Sequence, residues 1–184
     1  MKLYVSPRAP NPRRVQMFLA EKGIDLAATG IELVNVDLNA QEHKSAAFRA
    51  KSPLARIPAL EFDDGRVLTE TRAICTWIEG QHPEPNLMGM DATERAFIEM
   101  ADRRIEWYFL LPIANCVRHT HPGLAPLEQP QFPDFGRSQG EKLRETAAWL
   151  DGELQRQPWI AGERFTIADI TAFCAIEFAK LMRF

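Results

Sequence analysis

The chain has 184 residues, of which 46% are hydrophobic and 26% charged, and its formal net charge at pH 7 is −3. This composition is typical of a globular protein, and the small negative charge gives no electrostatic footprint for nucleic acid or for an anionic membrane surface. No apolar run approaches the ~20 residues that a membrane-spanning helix needs. We therefore expect neither nucleic acid nor a membrane as a partner.

The cysteine and histidine content gives no sign of a disulfide framework or of a metal site. Cys75, Cys116 and Cys174 are odd in number and widely spaced in helical patterns, which favours reduced thiols and a cytoplasmic protein. His119 and His121 have no cysteine or carboxylate companions at metal-ligand spacing. No metal site is expected.

The first eighty residues alternate strand-like and helix-like segments. Lys2–Val5 is a β-rich run, and the amphipathic pattern at 13–22 predicts a helix that Gly23 ends. Asn11 as N-cap and Pro12 at the first helical position predict where that helix begins. A strand at 31–36 and a short helix at 42–51 follow. Next come a hairpin of strands at 57–62 and 66–68, whose turn needs Gly65 at positive φ, and a helix at 70–79 that Gly80 ends. The predicted order is β-α-β-α-β-β-α, which is too short for a doubly wound nucleotide-binding sheet.

Beyond a plausible linker at Pro83–Pro85, the pattern indicates helices alone. The predicted helices are 92–117, kinked or ended near Pro112, then 136–157 and 166–184, the last opened by a capping box of Thr166 and Asp169. The predicted organisation is an α/β domain over residues 1–81 and an all-α domain over 90–184. Since the helical pattern is still open at Phe184, we expect the second domain to be incomplete at its C-terminus.

Two short motifs predict a binding site for a peptide-like ligand. Pro58 stands where an apolar strand should begin, a position that suits a cis X-Pro bond and leaves the backbone of Ile57 able to pair with an extended peptide. Glu70 and Thr71 open a helix, whose free N–H groups attract a carboxylate. The alternative for the second motif is an acidic first turn that only favours the helix dipole. Together the motifs suit a ligand with a free amine and a free carboxylate.

Over essentially its whole length, the chain resembles the cytosolic glutathione transferases. The resemblance is carried by the loop from Pro53 to the proline at 58, by Glu70-Thr71, and by the segment from Trp159-Ile160-Ala161-Gly162 to Asp169. It implies a thioredoxin-like N-terminal domain, an all-helical C-terminal domain, glutathione as co-substrate, and a homodimer with the helix from Ala92 in the interface.

The resemblance also implies how glutathione would be held. Glu70 would bind the α-amine of the γ-glutamyl group, Thr71 would donate to the adjacent carboxylate, and the backbone at Ile57-Pro58 would pair with the cysteinyl unit. Glu42-His43-Lys44 resembles a Glu-His-Lys of plant-type members in which His and Lys meet the glycine carboxylate. The alternative for His43 and Lys44 is a solvated surface, and Arg56 is a further candidate for a carboxylate or carbonyl contact.

The catalytic group departs from the usual pattern of the family. Ala9 stands where many classes have a serine, no cysteine is nearby, and Tyr4 lies within a strand. Ala9-Pro10-Asn11 resembles the Thr-Pro-Asn segment of bacterial nu-class enzymes, so Asn11 is the first candidate to stabilise a thiolate. Ser6 is the second candidate, and a pure helix cap is the alternative role for Asn11.

The activity that the resemblance implies is attack of the glutathione thiolate on a small hydrophobic electrophile. Trp107, Tyr108 and Leu111 are candidates for the electrophile pocket, although core packing alone would also explain them. Two alternatives stay open: glutathione-dependent reduction of disulfides or peroxides, and a non-enzymatic interaction protein of the same fold.

Overall fold

The structure is a computed structural model that describes residues 1–7 and 9–182. The last two positions of the helix predicted at 166–184 lie outside the described residues. The chain divides into two compact units, Met1–Asn86 and Leu87–Phe184, and each is described by itself.

Unit 1, residues 1–86, is built on a four-stranded mixed sheet in the order β2-β1-β3-β4. Strands β1 and β2 are parallel, whereas β3 is antiparallel to both β1 and β4. The elements are β1 (Lys2–Val5), α1 (Pro10–Glu21), α2 (Leu26–Thr29), β2 (Glu32–Asn35), a 3₁₀ turn (Glu42–Lys44), α3 (Ala46–Arg49), β3 (Ala59–Glu61), β4 (Val67–Thr69) and α4 (Thr71–Gln81). The predicted parallel pair and hairpin are confirmed, and Gly65 has a φ of 85°.

The core of unit 1 follows from the alternation of side chains along the strands. On one face Tyr4, Val36, Phe48 and Ala59 form a buried cluster, with the Tyr4 and Phe48 rings packed edge to face at 5.7 Å. Helices α1 and α4 contact each other, α1 also contacts β1, and α4 also contacts β3 and β4. The sheet is therefore fixed between packed layers, and its loops carry the candidate site.

Two of the helices predicted in unit 1, at 42–51 and at 70–79, have other bounds in the structure. The segment predicted as one helix at 42–51 is a 3₁₀ turn followed by α3, because Ser45 has an extended backbone and its hydroxyl caps the Phe48 N–H at 3.2 Å. Gly80 does not end α4, which runs on to Gln81. At that end the buried Lys22 ammonium donates to the carbonyls of His82 (2.7 Å) and Pro85 (2.8 Å).

Unit 2, residues 87–184, is all-helical in its described part. Its elements are α5 (Ala92–Ile105), a π turn (Glu106–Leu110), α6 (Leu111–Thr120), a 3₁₀ turn (Pro122–Leu124), α7 (Pro133–Leu154) and α8 (Ile167–Ala179). The predicted start of α7 at Gly136 is three residues late, because Pro133 takes the first helical position. Among the described residues, no helix combines the length and the apolar character needed to cross a bilayer.

The kink predicted near Pro112 takes the form of the π turn between α5 and α6. Pro112 has no N–H and its ring crowds the carbonyl four residues before it. The helix widens by one residue there, and the Leu111 N–H bonds the Glu106 carbonyl five residues back. The chain thus continues as a helix through the proline instead of ending at it.

The capping box predicted at Thr166 and Asp169 is confirmed. The Asp169 carboxylate accepts from the Thr166 N–H and from the Ile160 N–H, each at 2.9 Å. Burial raises the pKa of this carboxyl, and the hydrogen bonds that it accepts oppose that rise. The box fixes the start of α8, whose N-terminal half is almost wholly buried.

Candidate functional site

The sheet register brings four segments of unit 1 to one edge. Val5, at the end of β1, pairs with Asn35 at the end of β2, and Tyr4 pairs with Ala59 at the start of β3. Ala59 in turn pairs with Thr69 at the end of β4. The loops after β1, β2 and β4 and the loop before β3 therefore leave the sheet at the same edge, which we call the site edge. Every sequence-predicted site residue of unit 1 lies in or just beyond one of these four loops.

The loop before β3 presents an unpaired backbone. The buried Ser52 hydroxyl accepts from the Arg56 N–H at 3.1 Å and donates to the Arg56 carbonyl at 2.8 Å, so it holds both polar groups of that residue. The bond Ile57-Pro58 is cis, as the sequence predicts. Within residues 1–7 and 9–182, neither the N–H nor the carbonyl of Ile57 has a hydrogen-bond partner. Ile57 thus offers a donor and an acceptor to an extended ligand, beside the exposed side chain of Arg56.

The loop after β4 ends in Glu70 and Thr71. Thr71 is the first residue of α4 and is buried, whereas Glu70 is the exposed N-cap residue. Glu70 has a φ of 68° and a ψ of 123°, a conformation that costs a non-glycine residue about 1–3 kcal/mol. Its carboxylate makes no hydrogen bond or ion pair with the part of the chain that the structure describes. A strained backbone thus carries an exposed acidic group at the start of a helix.

The loop after β1 leads into α1 two residues earlier than the sequence predicts. The N-cap residue is Ala9, and Pro10, Asn11 and Pro12 are the first three helical residues. The predicted role of Asn11 as an N-cap is therefore wrong, and its exposed side chain does not cap the helix. Because proline has no N–H, Asn11 provides the only backbone donor among these three residues. Ser6 follows β1, and its carbonyl accepts from the Ala9 N–H at 3.1 Å.

The loop after β2 contains His43 and Lys44 in a 3₁₀ turn. Lys44 is exposed, as a surface residue should be, but His43 is 7% exposed, which contradicts a solvated position for its ring. The Glu42 carboxylate holds the turn by accepting from the Asp37 N–H at 2.7 Å. Lys44 is thus the accessible cation of this loop at the site edge.

Comparison with known proteins places the chain in a family. The model of the glutathione S-transferase N-terminal domain matches residues 3–86, and that of the C-terminal domain matches residues 89–184. Glutathione S-transferase 2 of Saccharomyces cerevisiae is 33% identical over 184 residues, which span 100% of this chain and 78% of that protein. The chain belongs to the glutathione S-transferase family.

Solved structures of family members agree with this assignment. A glutathione S-transferase domain-containing protein of Marinobacter aquaeolei is 39% identical, with a TM-score of 0.91 over 98% of this chain and 89% of that one. Gtt2 of Saccharomyces cerevisiae is 34% identical, with a TM-score of 0.90 over 98% and 86% of the two chains. The predicted fold, a thioredoxin-like domain followed by a helical transferase domain, is confirmed.

The candidate electrophile residues of this glutathione S-transferase lie in unit 2 at the π turn. Trp107, Tyr108 and Leu111 are 57%, 63% and 40% exposed, so none is a core residue of its unit. Tyr108 lines a shallow cleft of about 370 Å³ between the π turn and α7, with Arg104, Glu145, Thr146 and Trp149. The Arg104 guanidinium lies over the Trp149 ring at 6.0 Å.

The cysteines and histidines form no further centre in the described part of the chain. All three cysteines are buried and none forms a disulfide bond, and burial raises the pKa of the Cys116 thiol, which disfavours its nucleophilic thiolate form. No three His, Cys, Asp or Glu side chains of residues 1–7 and 9–182 are grouped as metal ligands. The His119 and His121 rings instead accept the N–H groups of Phe132 and Gly123, each at 3.1 Å.

Sequence reasoning missed Ser52 and gave Arg14 no specific contact. Ser52 could have been predicted from its position directly before Pro53, because short polar side chains at the start of a turn commonly hydrogen-bond the backbone of that turn. Arg14 is 1% exposed and donates from Nη1 to Asn11 Oδ1 at 3.3 Å. Its signal is only a second arginine in an amphipathic helix, which does not predict burial.

Proposed function

We propose that the chain is a glutathione transferase, which binds glutathione at the site edge of unit 1 and activates its thiol for attack on a small hydrophobic electrophile. What supports the proposal most is the convergence at one sheet edge of an unpaired peptide backbone, a strained and exposed carboxylate, and an exposed amide at a helix start. Glutathione has a peptide backbone that can pair with the unpaired backbone of the site, an amine that can bind the carboxylate, and a thiol that can accept a hydrogen bond from the amide.

The proposed contacts follow the polarity of glutathione. The Glu70 carboxylate binds the α-amine, and Thr71 donates to the α-carboxylate at the start of α4. The cysteinyl unit pairs with the Ile57 backbone beside Pro58, in the manner of an added strand. Lys44 and Arg56 are both exposed cations and suit the glycine carboxylate. His43 is the third candidate for this contact, and it is buried in the same 3₁₀ turn as Lys44.

The sulfur is proposed to lie at the start of α1, near Asn11. A free thiol has a pKa of about 8.5, and lowering it by about 2 units takes about 2.7 kcal/mol of preferential interaction with the thiolate. The Asn11 backbone N–H and side-chain NH₂ are donors in the first turn, where the helix dipole adds positive potential. Ser6 is the second candidate, because its hydroxyl follows β1 at the same edge.

The proposed partners are glutathione, small hydrophobic electrophiles and a second copy of this chain. Trp107, Tyr108 and Leu111 are proposed to line the electrophile pocket. The helix from Ala92 carries two exposed apolar side chains three residues apart, and so on the same side: Phe97 at 59% and Met100 at 39% exposure. This apolar side supports a homodimer through the helix. Three buried thiols that form no disulfide bond support a cytoplasmic location.

Two parallel assays test the reaction. The purified protein is given glutathione with an activated aryl chloride, or glutathione with a small disulfide. We expect conjugation to the aryl chloride, and we expect Glu70→Ala to lose it through a higher KM for glutathione. Turnover of the disulfide with little conjugation would replace the transferase with a glutathione-dependent reductase, and no turnover of either would favour a non-enzymatic member of the family.

A further inference from the structure

Arg14 is a buried charge beside the proposed thiol site. It lies in α1 three residues after Asn11, a spacing that places two side chains on the same face of a helix. Only 1% of Arg14 is exposed, and it is among the largest fully buried side chains of the described residues. Burying a guanidinium costs several kcal/mol unless it is well hydrogen-bonded. The contacts that its N–H donors make therefore bear on the function of the site.

One of those donors reaches the amide of Asn11. Arg14 Nη1 donates to Asn11 Oδ1 at 3.3 Å. A guanidinium has five N–H donors and no acceptor, so it can bind only the oxygen of an amide and never its NH₂ group. Of the two orientations of the Asn11 amide, related by a half turn, Arg14 selects the one with the oxygen toward itself.

This selection decides what Asn11 presents to a ligand. With Oδ1 held by Arg14, the NH₂ group is the outward end of an exposed side chain, and within residues 1–7 and 9–182 it makes no hydrogen bond. Turned the other way, the amide would present its oxygen, which repels a thiolate. Because Pro10 and Pro12 bring no N–H to this turn, the orientation of one amide determines much of its donor capacity.

We propose that Arg14 is a positioning residue, which fixes the Asn11 amide with its NH₂ group toward the glutathione sulfur. This rests on the proposed function, and on the role of Asn11 within it. Arg14 then acts on the thiol through Asn11 and does not touch the substrate. Its loss should therefore weaken thiolate formation more than glutathione binding.

The test is a double-mutant cycle read by the pKa of glutathione bound to the enzyme, from the ultraviolet absorbance of its thiolate. Asn11→Ala should raise that pKa by ~1 unit, the loss of one charge-assisted hydrogen bond. Arg14→Met, which keeps the length but removes the donors, should raise it by a similar amount. The double variant should show no further rise, because Arg14 has nothing left to orient.

Arg14→Gln keeps the cycle decisive if Arg14→Met does not fold. Glutamine can donate or accept, so it does not select one amide orientation, and we expect a rise smaller than that of Asn11→Ala. In both Arg14 variants, calorimetry should give a glutathione Kd within about threefold of wild type, a loss of less than 1 kcal/mol.

Four results would overturn the proposal, and they differ in what else they overturn. A wild-type thiol pKa in both Arg14 variants defeats the positioning role alone, and additive rises in the double variant show that Arg14 acts by its own charge. An unchanged pKa in Asn11→Ala defeats the role of Asn11 as well. No heat of glutathione binding to the wild-type protein would defeat the proposed function itself.

Discussion

At the scale of one residue, the proposed role of Glu70 sets backbone stability against ligand binding. Its φ of 68° lies in the region that glycine adopts without a steric cost and that other residues rarely adopt. The position nevertheless carries a long acidic side chain. The strain has no compensation in a side-chain contact of the described residues. The proposed binding of the glutathione amine by the Glu70 carboxylate would explain why a glutamate stands at this strained position.

Two substitutions separate these effects. Glu70→Gly removes the carboxylate and relieves the backbone, so the protein should become more stable by about 1 kcal/mol while glutathione binding weakens at least tenfold. Glu70→Ala removes the same carboxylate without relieving φ, so binding should weaken equally with no gain in stability. Urea unfolding and calorimetry measure the two quantities. If Glu70→Gly binds glutathione as well as wild type, the carboxylate is not a ligand group.

Ser52 gives a second prediction at this scale. Because its hydroxyl holds both backbone groups of Arg56, Ser52→Ala should loosen the loop that presents Ile57, and the KM for glutathione should rise on the order of tenfold with kcat little changed. Thr29→Ala is the matched control. It removes a hydroxyl that bonds two carbonyls in α2, which precedes β2 and so lies at the opposite edge of the sheet. Equal KM values for the two variants would contradict the role of Ser52.

The sequence predicts the local backbone geometry of the candidate site better than the burial of the side chains around it. The Ile57-Pro58 bond and the Glu70-Thr71 helix start are local features, and both are found as expected. The burial of His43 and of Arg14 was not predictable, because it depends on packing against segments distant in the chain. The orientation of the Asn11 amide depends in turn on that buried arginine.

At the scale of elements, a complete local motif predicts a helix boundary better than a single residue does. The capping box at Thr166 is complete within four residues, and it is found in full. The start of α1 was misplaced because Pro10 and Pro12 are both acceptable early helical residues, and spacing alone does not choose between them. Gly80 failed as a stop because Lys22, nearly sixty residues earlier, binds the carbonyls at that end.

A polar cluster of Tyr4 on β1, Glu61 on β3 and Lys51 in the loop before β3 predicts how stability depends on pH. Glu61 accepts from Lys51 Nζ at 2.6 Å and from the Tyr4 hydroxyl at 2.5 Å, and these bonds hold the pKa of the Glu61 carboxyl below its usual range. A lowered pKa contributes stability above the unfolded-state value of about 4.3, and that contribution is lost as the pH falls through the folded value.

Glu61→Gln should remove this pH dependence. The urea midpoint of the wild-type protein should fall as the pH is lowered from about 5 toward 3, and the midpoint of Glu61→Gln should fall less, from a lower starting value. Glu32→Gln, at an exposed position of β2, serves as the control and should follow the wild-type curve. Parallel curves for the wild type and Glu61→Gln would show that the cluster contributes no pH-dependent stability.

At the scale of the whole molecule, the proposed homodimer is tested by sedimentation. Phe97→Glu places a charge on the apolar side of the helix from Ala92, and we expect it to sediment as a monomer while the wild type sediments at twice that mass. Phe132→Glu changes an equally exposed phenylalanine, at 57%, on a different element and should leave the dimer intact. A monomeric wild type, or a dimeric Phe97→Glu, would contradict the proposed interface.

The central claim is that the site edge of unit 1 binds glutathione. Calorimetric titration of the wild-type chain with glutathione measures this directly, beside Glu70→Ala. We predict one glutathione per chain with a Kd below about 1 mM, within the range of affinities that enzymes have for their substrates, and at least a tenfold weaker Kd for Glu70→Ala. Binding that Glu70→Ala leaves unchanged, or no binding to the wild type at millimolar ligand, would contradict the account.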